Sequence, residues 1–318
     1  MVDRWRREGG YREVLILAGP LILSMGSWSI MHFVDRMFLT WYDAGSLAAA
    51  LPAGILNFAA SSFFIGTAAY VNTFVAQYTG AGHHTRVGPS VWQGIYFSVG
   101  AGMLILCLIP VSKPIFAWVG HDPAIQALEV TYFNILCVMG VPGIVTAPLS
   151  SFFSGRGATS TVMWVNLTAV AVNILLDYAW IFGRWGFPEL GISGAAWATV
   201  VAHTVSAALF LGLMVRSRHR KAFHTLSGWR FDPVLFLRLM RFGAPNGIQF
   251  LIEISGFTLF ILLIGRLGPV PLAATNLAFN INTLAFVPML GLGIAVSTLV
   301  GQYLGRDNPD LAEQCTWS

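Results

Sequence analysis

The sequence predicts an all-α membrane protein with eight transmembrane helices and the beginning of a ninth. Hydrophobic residues make up 56% of the 318 residues and charged residues only 10%, whereas a soluble domain has about 25% charged residues. The mean hydropathy is +0.68, and long apolar segments recur along the whole chain. Low net charge, the lack of heptads and only three cysteines exclude a disordered tail, a coiled coil and a disulfide-rich secreted module.

Eight segments are long enough to cross the bilayer, which takes about 20 mostly apolar residues. They begin near Val14, Leu47, Trp92, Ala124, Val162, Ile192, Leu235 and Leu272. The first runs from Val14 to about Trp41, which is too long for the apolar region of a signal peptide. Glycine or proline breaks separate many of the spans. These breaks are 79–82 (TGAG), 120–123 (GHDP), 155–157 (GRG), 186–188 (GFP) and 268–269 (GP).

The distribution of basic residues predicts the orientation. Short cytoplasmic loops carry an excess of Lys and Arg, and all but four of the 18 such residues fall on one side of the predicted membrane. The four exceptions are Arg36, Lys113, Arg184 and Arg266. We therefore expect a cytoplasmic N-terminus and a cytoplasmic loop over residues 215–233. The placement of the basic residues at membrane edges argues against nucleic-acid binding.

The chain contains an internal repeat. A shift of 225 residues, which takes Pro20 to Pro245, aligns two segments without a gap. The coinciding residues are 47–49 with 272–274, Asn57 with Asn282, Gly66 with Gly291, 75–80 (VAQYTG) with 300–305 (VGQYLG), and Trp92 with Trp317. Six spans separate the copies, so both start on the same side, as in the parallel repeats of secondary transporters.

The repeat predicts two domains of unequal length. We expect residues 1–225 to form a six-helix lobe with the inter-lobe loop, and residues 226–318 to form helices seven and eight and the start of helix nine. Two full copies would end near residue 450. The 318 residues therefore read as a C-terminally truncated fragment.

Several motifs, weak one by one but specific in this order, are similar to those of the multidrug and toxic compound extrusion (MATE) family. They are 18–20 (AGP), 33–35 (FVD), 77–82 (QYTGAG), 153–157 (FSGRG), Asn173 with Asp177, 188–191 (PELG), 194–199 (GAAWAT) and Glu253. The resemblance covers the whole chain and implies a MATE-like fold of two six-helix lobes. It also implies cation-coupled efflux of small molecules. The C-terminal third of that fold has no counterpart in this sequence.

Three of the 14 acidic residues lie inside apolar sequence, namely Asp35, Asp177 and Glu253. An ionised carboxylate in mid-membrane costs about 3 kcal/mol on insertion scales, so such residues are by default functional. Asp35 lies in the outward-facing half of span one and is the first choice for the coupling-cation site. The alternative is a solvated carboxylate near the helix exit, or one paired with Arg36.

Asn173 and Asp177 are four residues apart and so share one face of span five. Carboxylate and amide oxygens suit a proton or a hard cation such as Na⁺. The resemblance implies a cation site formed by Asp35, Asn173, Asp177 and Thr199. For Thr199 a hydroxyl bonded to its own helix backbone is an equal alternative.

Glu253 lies near the centre of span seven, which is the repeat partner of span one. The repeat places Asp35 on Phe260, seven residues or about two turns beyond Glu253, so the two acids occupy the same face of equivalent helices. The family implies that such a glutamate binds substrate or protons. A structural hydrogen bond between two helices is the alternative.

These features predict a secondary antiporter in the inner membrane that exports lipophilic or cationic compounds in exchange for H⁺ or Na⁺. No phosphate-binding G-x-x-x-x-G-K-[ST] string occurs, so ATP does not drive it, and no enzyme signature or cofactor is expected. We expect a monomer when full length. The alternatives are a lipid-linked precursor flippase of related fold, a non-transporting remnant, or a partner whose missing helices come from another polypeptide.

Overall fold

The computed structural model describes residue 5 and residues 7–265 and 269–317, and throughout these the regular structure is helical. The helices are α1 (Tyr11–Tyr42), α2 (Ala44–Ala69), α3 (Val71–Gly80), α4 (Val87–Leu106), α5 (Ser112–Val119), α6 (Pro123–Val138), α7 (Gly140–Ser154), α8 (Thr159–Ile181), α9 (Ile192–Met214), α10 (Ser217–Phe223), α11 (Pro233–Gly265), α12 (Pro269–Gly305) and α13 (Pro309–Thr316). The predicted all-α fold class is confirmed.

A helix or helix pair covers each of the eight predicted spans, and α13 lies where the ninth was expected to begin. By length and composition, six described helices could cross a membrane, or up to seven if the pair α6 and α7, bent by 42°, counts as one span. The total of eight spans therefore stays a prediction. The predicted breaks between residues 79 and 188 all fall at helix ends, and Gly268 lies outside the described residues.

Side-chain caps and prolines explain where several helices begin. Asp43 precedes α2, and its carboxylate accepts hydrogen bonds from the Ser46 backbone N–H at 2.8 Å and the Ser46 hydroxyl at 3.1 Å. Asp122 accepts from the Ala124 backbone N–H at 2.9 Å, with Pro123 as the first residue of α6. A proline at this position loses no helical hydrogen bond. The loop chemistry of the sequence thus sets the ends of these two helices.

Apolar packing joins the helices of residues 1–225. Helix α1 packs along α8, α8 along α9, and α4 along α7. Leu149, Phe153, Phe210 and Met214 belong to the largest buried apolar cluster. A separate cluster includes Phe38 and Ile181 and so ties α1 to the end of α8. The pairing of α1 with α8 is the one that positions the candidate site, because the predicted acids lie on these two helices.

The two copies of the repeat pack against each other reciprocally. Helix α11 lies on α2, and α12 lies on α1 and α3. A Cβ atom added to Gly80 would overlap the backbone of Gln302, and one added to Gly305 would overlap the backbone of Gln77. Because the shift of 225 residues exchanges these two contacts, the copies are related as a local twofold axis requires.

The connection between the copies is folded onto the first copy along α4. The Trp92 indole N–H donates to the Thr225 carbonyl at 2.6 Å, and the Tyr96 hydroxyl donates to the Trp229 carbonyl. The Gln93 amide donates to the Arg230 carbonyl at 3.2 Å. Three successive polar contacts therefore hold this connection in place rather than leaving it as a free tether.

Candidate cation-binding site

Three of the predicted site residues meet at the contact between α1 and α8. Asp35 is 8% exposed, and Asn173 and Asp177 are fully buried. The spacing of Asn173 and Asp177 puts both on the face of α8 that packs against α1, since residues four apart lie one above the other on a helix. The predicted association of Asp35 with this pair is therefore present in the fold.

Hydrogen bonds connect the three side chains. When the Asn173 amide nitrogen faces the acids, it donates to Asp35 Oδ1 at 2.9 Å and to Asp177 Oδ2 at 3.2 Å. The Asn173 amide thereby bridges the two carboxyl groups inside the protein. Two carboxylates buried side by side disfavour each other's charge, so a proton or another cation bound between them relieves the repulsion. The cluster is therefore suited to one small positive ion.

Asp177 has hydrogen-bonding capacity left over. Its Oδ1 atom is buried and has no protein partner among the described residues. A buried polar atom without a partner is costly, so the site favours an additional positive ligand or donor.

Two histidines that the sequence did not single out as ligands border the cluster. The His32 Nδ1 atom lies 3.9 Å from Asp35 Oδ2. His203 of α9 stacks on Trp28 with a ring separation of 4.8 Å, and its Nδ1 atom is buried without a protein partner in the described chain. Apolar surroundings in sequence gave no signal for His203, because only the pairing of α9 with the other helices brings it here.

The other two predicted residues lie apart from this hydrogen-bond network. Thr199 is buried on α9, and its hydroxyl donates to the Ala195 carbonyl of the same helix at 3.1 Å. Glu253 is exposed on α11, and the Gln249 amide donates to its Oε1 atom at 2.9 Å. Within the described chain, no hydrogen bond joins either residue to Asp35 or Asp177. Their predicted roles in cation or substrate binding stay predictions.

The structure corrects one assignment made from sequence. Glu129 is not among the three acids that the sequence places inside the membrane, yet it is fully buried on α6. The His121 Nδ1 atom lies 2.7 Å from Glu129 Oε1, and Glu129 Oε2 has no partner among the described side chains. The chain folds back at Gly120, which has a positive φ of 80°, and this turn brings His121 over the first turns of α6. Closeness to a helix end was a poor guide to burial.

The ligands that the cluster offers are oxygen atoms. Among the described residues, no group of three or more His, Cys, Asp and Glu side chains is arranged to hold a metal ion. The oxygen atoms of two carboxylates and one amide are the type of ligand that a proton or a hard monovalent cation prefers. This leaves a small oxygen-lined site between α1 and α8.

Comparison with known proteins places this site in a family context. The MatE family model matches residues 20–179 and 245–316, so it includes both copies of the repeat and both acids of the cluster. A probable multidrug resistance protein NorM of Rhizobium meliloti (strain 1021) is 31% identical over 296 residues, covering 93% of this chain and 63% of that protein. The multidrug resistance protein NorM of Vibrio cholerae is 27% identical over 311 residues.

Solved structures agree in fold. An outward-facing multidrug resistance MATE family transporter of the MOP superfamily superposes with a TM-score of 0.87 at 19% identity, over 99% of this chain and 69% of that chain. The eukaryotic MATE transporter AtDTX14 superposes with a TM-score of 0.83 at 20% identity. The chain spans 63% to 67% of the length of the NorM relatives named by sequence.

Proposed function

Because this chain belongs to the MatE family of multidrug and toxic compound extrusion proteins, we propose that it acts as a secondary antiporter in the inner membrane. It exports lipophilic or cationic small molecules and takes up H⁺ or Na⁺ in exchange. Its N-terminus is cytoplasmic, residues 1–225 and 226–318 belong to two lobes, and the full-length protein is a monomer. No nucleic acid and no cofactor take part.

The observation that carries the proposal is the buried cluster of Asp35, Asn173 and Asp177. Binding of a proton or another cation at two neighbouring buried carboxyl groups changes the charge buried between α1 and α8. Burying an uncompensated charge in membrane is costly. A cation therefore binds with different affinity to the state in which α1 and α8 are packed together and to the state in which they are apart. Such a difference in affinity between two states is the requirement for coupling.

The Asn173 amide allows the same site to take either ion. With its nitrogen toward the acids the amide donates a hydrogen bond to each of them. The opposite orientation would present the amide oxygen, which is the type of ligand that Na⁺ prefers. The site is therefore compatible with either ion.

Helix α1 is the element that would transmit the change. Pro20 interrupts its hydrogen bonding in the half that lies before Asp35, and a proline within a helix permits a bend. The same helix contacts α12 of the second copy. A cation that alters the packing of α1 on α8 therefore also shifts the contact of α1 with α12. In the second copy, Glu253 on α11 would bind the substrate or a second proton.

The test is exchange in liposomes with the purified protein. A drug-linked flux of H⁺ or Na⁺ is measured for the native protein, for Asp35→Asn and for Asp43→Asn. Asp43→Asn makes the same chemical change eight residues later, where asparagine also caps a helix. We expect Asp35→Asn to lose exchange by at least about 100-fold, since the cost of a lost buried charge site is several kcal/mol. Normal exchange by Asp35→Asn would show that the proposal is wrong.

A further inference from the structure

The connection between α9 and α11 contains a dense basic segment. Arg216, Arg218, Arg220 and Lys221 follow directly on the end of α9 at Met214, and all four side chains are exposed. In the part of the chain that the structure describes, no ion pair links any of them to a carboxylate. Basic residues at this point set membrane orientation, but orientation alone requires neither a fixed backbone nor a recess.

A recess opens beside this segment. It has a volume of about 470 Å³, and its walls contain Arg220, Lys221, His224, Leu226 and Ser227. Two cationic side chains, an imidazole and a hydroxyl are donors suited to a phosphate group. Leu226 provides an apolar wall, and the exposed rings of Trp229 and Phe231 follow it along the chain. The recess therefore combines phosphate donors with apolar surface.

The walls of the recess are held by packing against the membrane helices. The Thr225 carbonyl accepts from the Trp92 indole, and Gly88 of α4 lies against the carbonyls of Phe223 and His224 so closely that a Cβ would overlap them. The Arg156 guanidinium lies 3.8 Å from the ring centre of Phe152 and 4.3 Å from that of Phe223. Helix α10 is thereby fixed to the end of α7.

The local charge is strongly positive. Burial and, to a smaller extent, the nearby charge of Arg218 together lower the pKa of Arg156 to about 10. Burial also lowers the pKa of His219, and the charges of Arg156, Arg218 and Arg216 add to this effect. Neighbouring positive charges repel one another, and a bound anion relieves this repulsion.

We propose that this recess binds the phosphate headgroup of an anionic membrane lipid. The position at the end of a membrane-spanning helix places it at the surface of the leaflet that is cytoplasmic in our orientation, where anionic lipids attract basic segments. A free phosphate would use the charges but gain nothing from Leu226 or Trp229. The inference concerns lipid binding alone and is independent of the transported substrate and of the coupling ion.

Lipid titration of the purified protein in an uncharged detergent tests this. The probes are short-chain phosphatidylglycerol, phosphatidylcholine with the same chains, and inorganic phosphate, and the readout is the thermal unfolding midpoint. We expect phosphatidylglycerol to raise the midpoint in a saturable way. The other two probes should leave it unchanged at the same concentrations. An equal rise with inorganic phosphate would overturn the proposal in favour of a free-anion site.

A charge-matched pair of variants locates the binding. We expect the double variant Arg220→Gln, Lys221→Gln to raise the half-saturating lipid concentration by on the order of tenfold. The reason is that each basic residue near the membrane surface strengthens the attraction of an anionic lipid, and this variant removes two of them. Lys113→Gln with Arg184→Gln removes the same charge from the opposite side and should have no effect. Equal effects of the two pairs would overturn the proposal.

A measurement on the native protein removes dependence on variant folding. Salt screens charge contacts at an exposed surface, so we expect the half-saturating phosphatidylglycerol concentration to rise steadily with ionic strength. The binding of a lipid held only by its acyl chains would be insensitive to salt. A flat salt response would therefore refute a headgroup site.

Discussion

The acids on the first helix of each repeat copy lie in opposite environments. Asp35 on α1 is buried against α8, where the Asn173 amide bridges it to Asp177. Glu253 on α11 is exposed and has the Gln249 amide of its own helix as partner. Asp35 has α8, with Asn173 and Asp177, packed against it. This packing, rather than position within a span, is what buries Asp35.

This difference has an energetic meaning. A carboxylate alone in the membrane costs about 3 kcal/mol on insertion scales. In the first copy this cost is offset by the Asn173 amide, which bridges the two acids. In the second copy, the described hydrogen bond of Glu253 is the one from Gln249 on its own helix. A cation at Asp35 and Asp177 therefore meets more oxygen ligands than the described residues offer at Glu253.

The largest expected effect concerns the shared proton. A protonated carboxyl group has a carbonyl stretch that infrared spectroscopy separates from that of a carboxylate. We expect this band to disappear in Asp177→Asn, because the remaining acid has no second carboxyl with which to share a proton. Glu253→Gln should retain the band. Equal loss of the band in both variants would mean that the two copies do not differ as described.

Burial of a third acid offers a test through stability. Glu129 is fully buried and bonded to His121, whereas Glu253 is exposed. We expect Glu129→Ala to lower the free energy of unfolding by about 2–3 kcal/mol, as for a hydrogen bond to a charged or buried group. Glu253→Ala removes no buried hydrogen bond of this kind and should not lower the free energy of unfolding.

A double-mutant cycle isolates the pair of Glu129 and His121. The double variant His121→Ala, Glu129→Ala should lose less free energy of unfolding than the sum of the two single losses, by about 1 kcal/mol. The reason is that each single variant already removes the same hydrogen bond. Thermal unfolding in detergent with matched lipid provides the measurement. Strict additivity would show that the 2.7 Å contact contributes nothing to stability.

Much of the fold was readable from sequence because its signals are local. Apolar stretches of the required length gave the helices, and glycine breaks gave their ends. The shift of 225 residues revealed the repeat, and the structure adds that Gly80 and Gly305 make reciprocal contacts between its two copies. The break at Tyr70 between α2 and α3, and the bend between Val138 and Gly140, were not predicted, since both lie within apolar sequence.

The site was predictable only in part. Asp35, Asn173 and Asp177 are conspicuous because polar residues in apolar sequence stand out, and a spacing of four places two of them on one face. Burial of Glu129 depends on a turn at Gly120, and the position of His203 depends on how α9 packs. Sequence periodicity contains neither of these facts. The ordered connection after α9 was likewise missed, because its contacts come from α4, far away in the chain.

The contact between copies should be less costly to disturb than a buried acid. Gly80→Ala and Gly305→Ala each place a Cβ against backbone of the other copy. We expect each to lower the free energy of unfolding by about 1–2 kcal/mol, as overpacking does, and by similar amounts because the contacts are reciprocal. Gly100→Ala, where no atom lies within 4 Å of the new Cβ, should be neutral or stabilising. A large effect at only one of the two glycines would contradict the twofold relation.

The smallest expected effect belongs to an acid in water. Hydrogen bonds from the Ser46 backbone N–H and hydroxyl lower the pKa of Asp43, which caps α2. Because the pKa of Asp43 is lower in the folded state, the carboxylate stabilises the helix fully at pH values above its unfolded-state pKa of about 4. This contribution is lost as the pH falls through the folded-state pKa. Asp43→Asn keeps a cap but does not titrate, so its thermal midpoint should vary less between neutral and acidic pH than that of the native protein, by about 1–2 °C. An identical pH dependence in the two proteins would mean that the carboxylate of Asp43 does not titrate as the cap of α2.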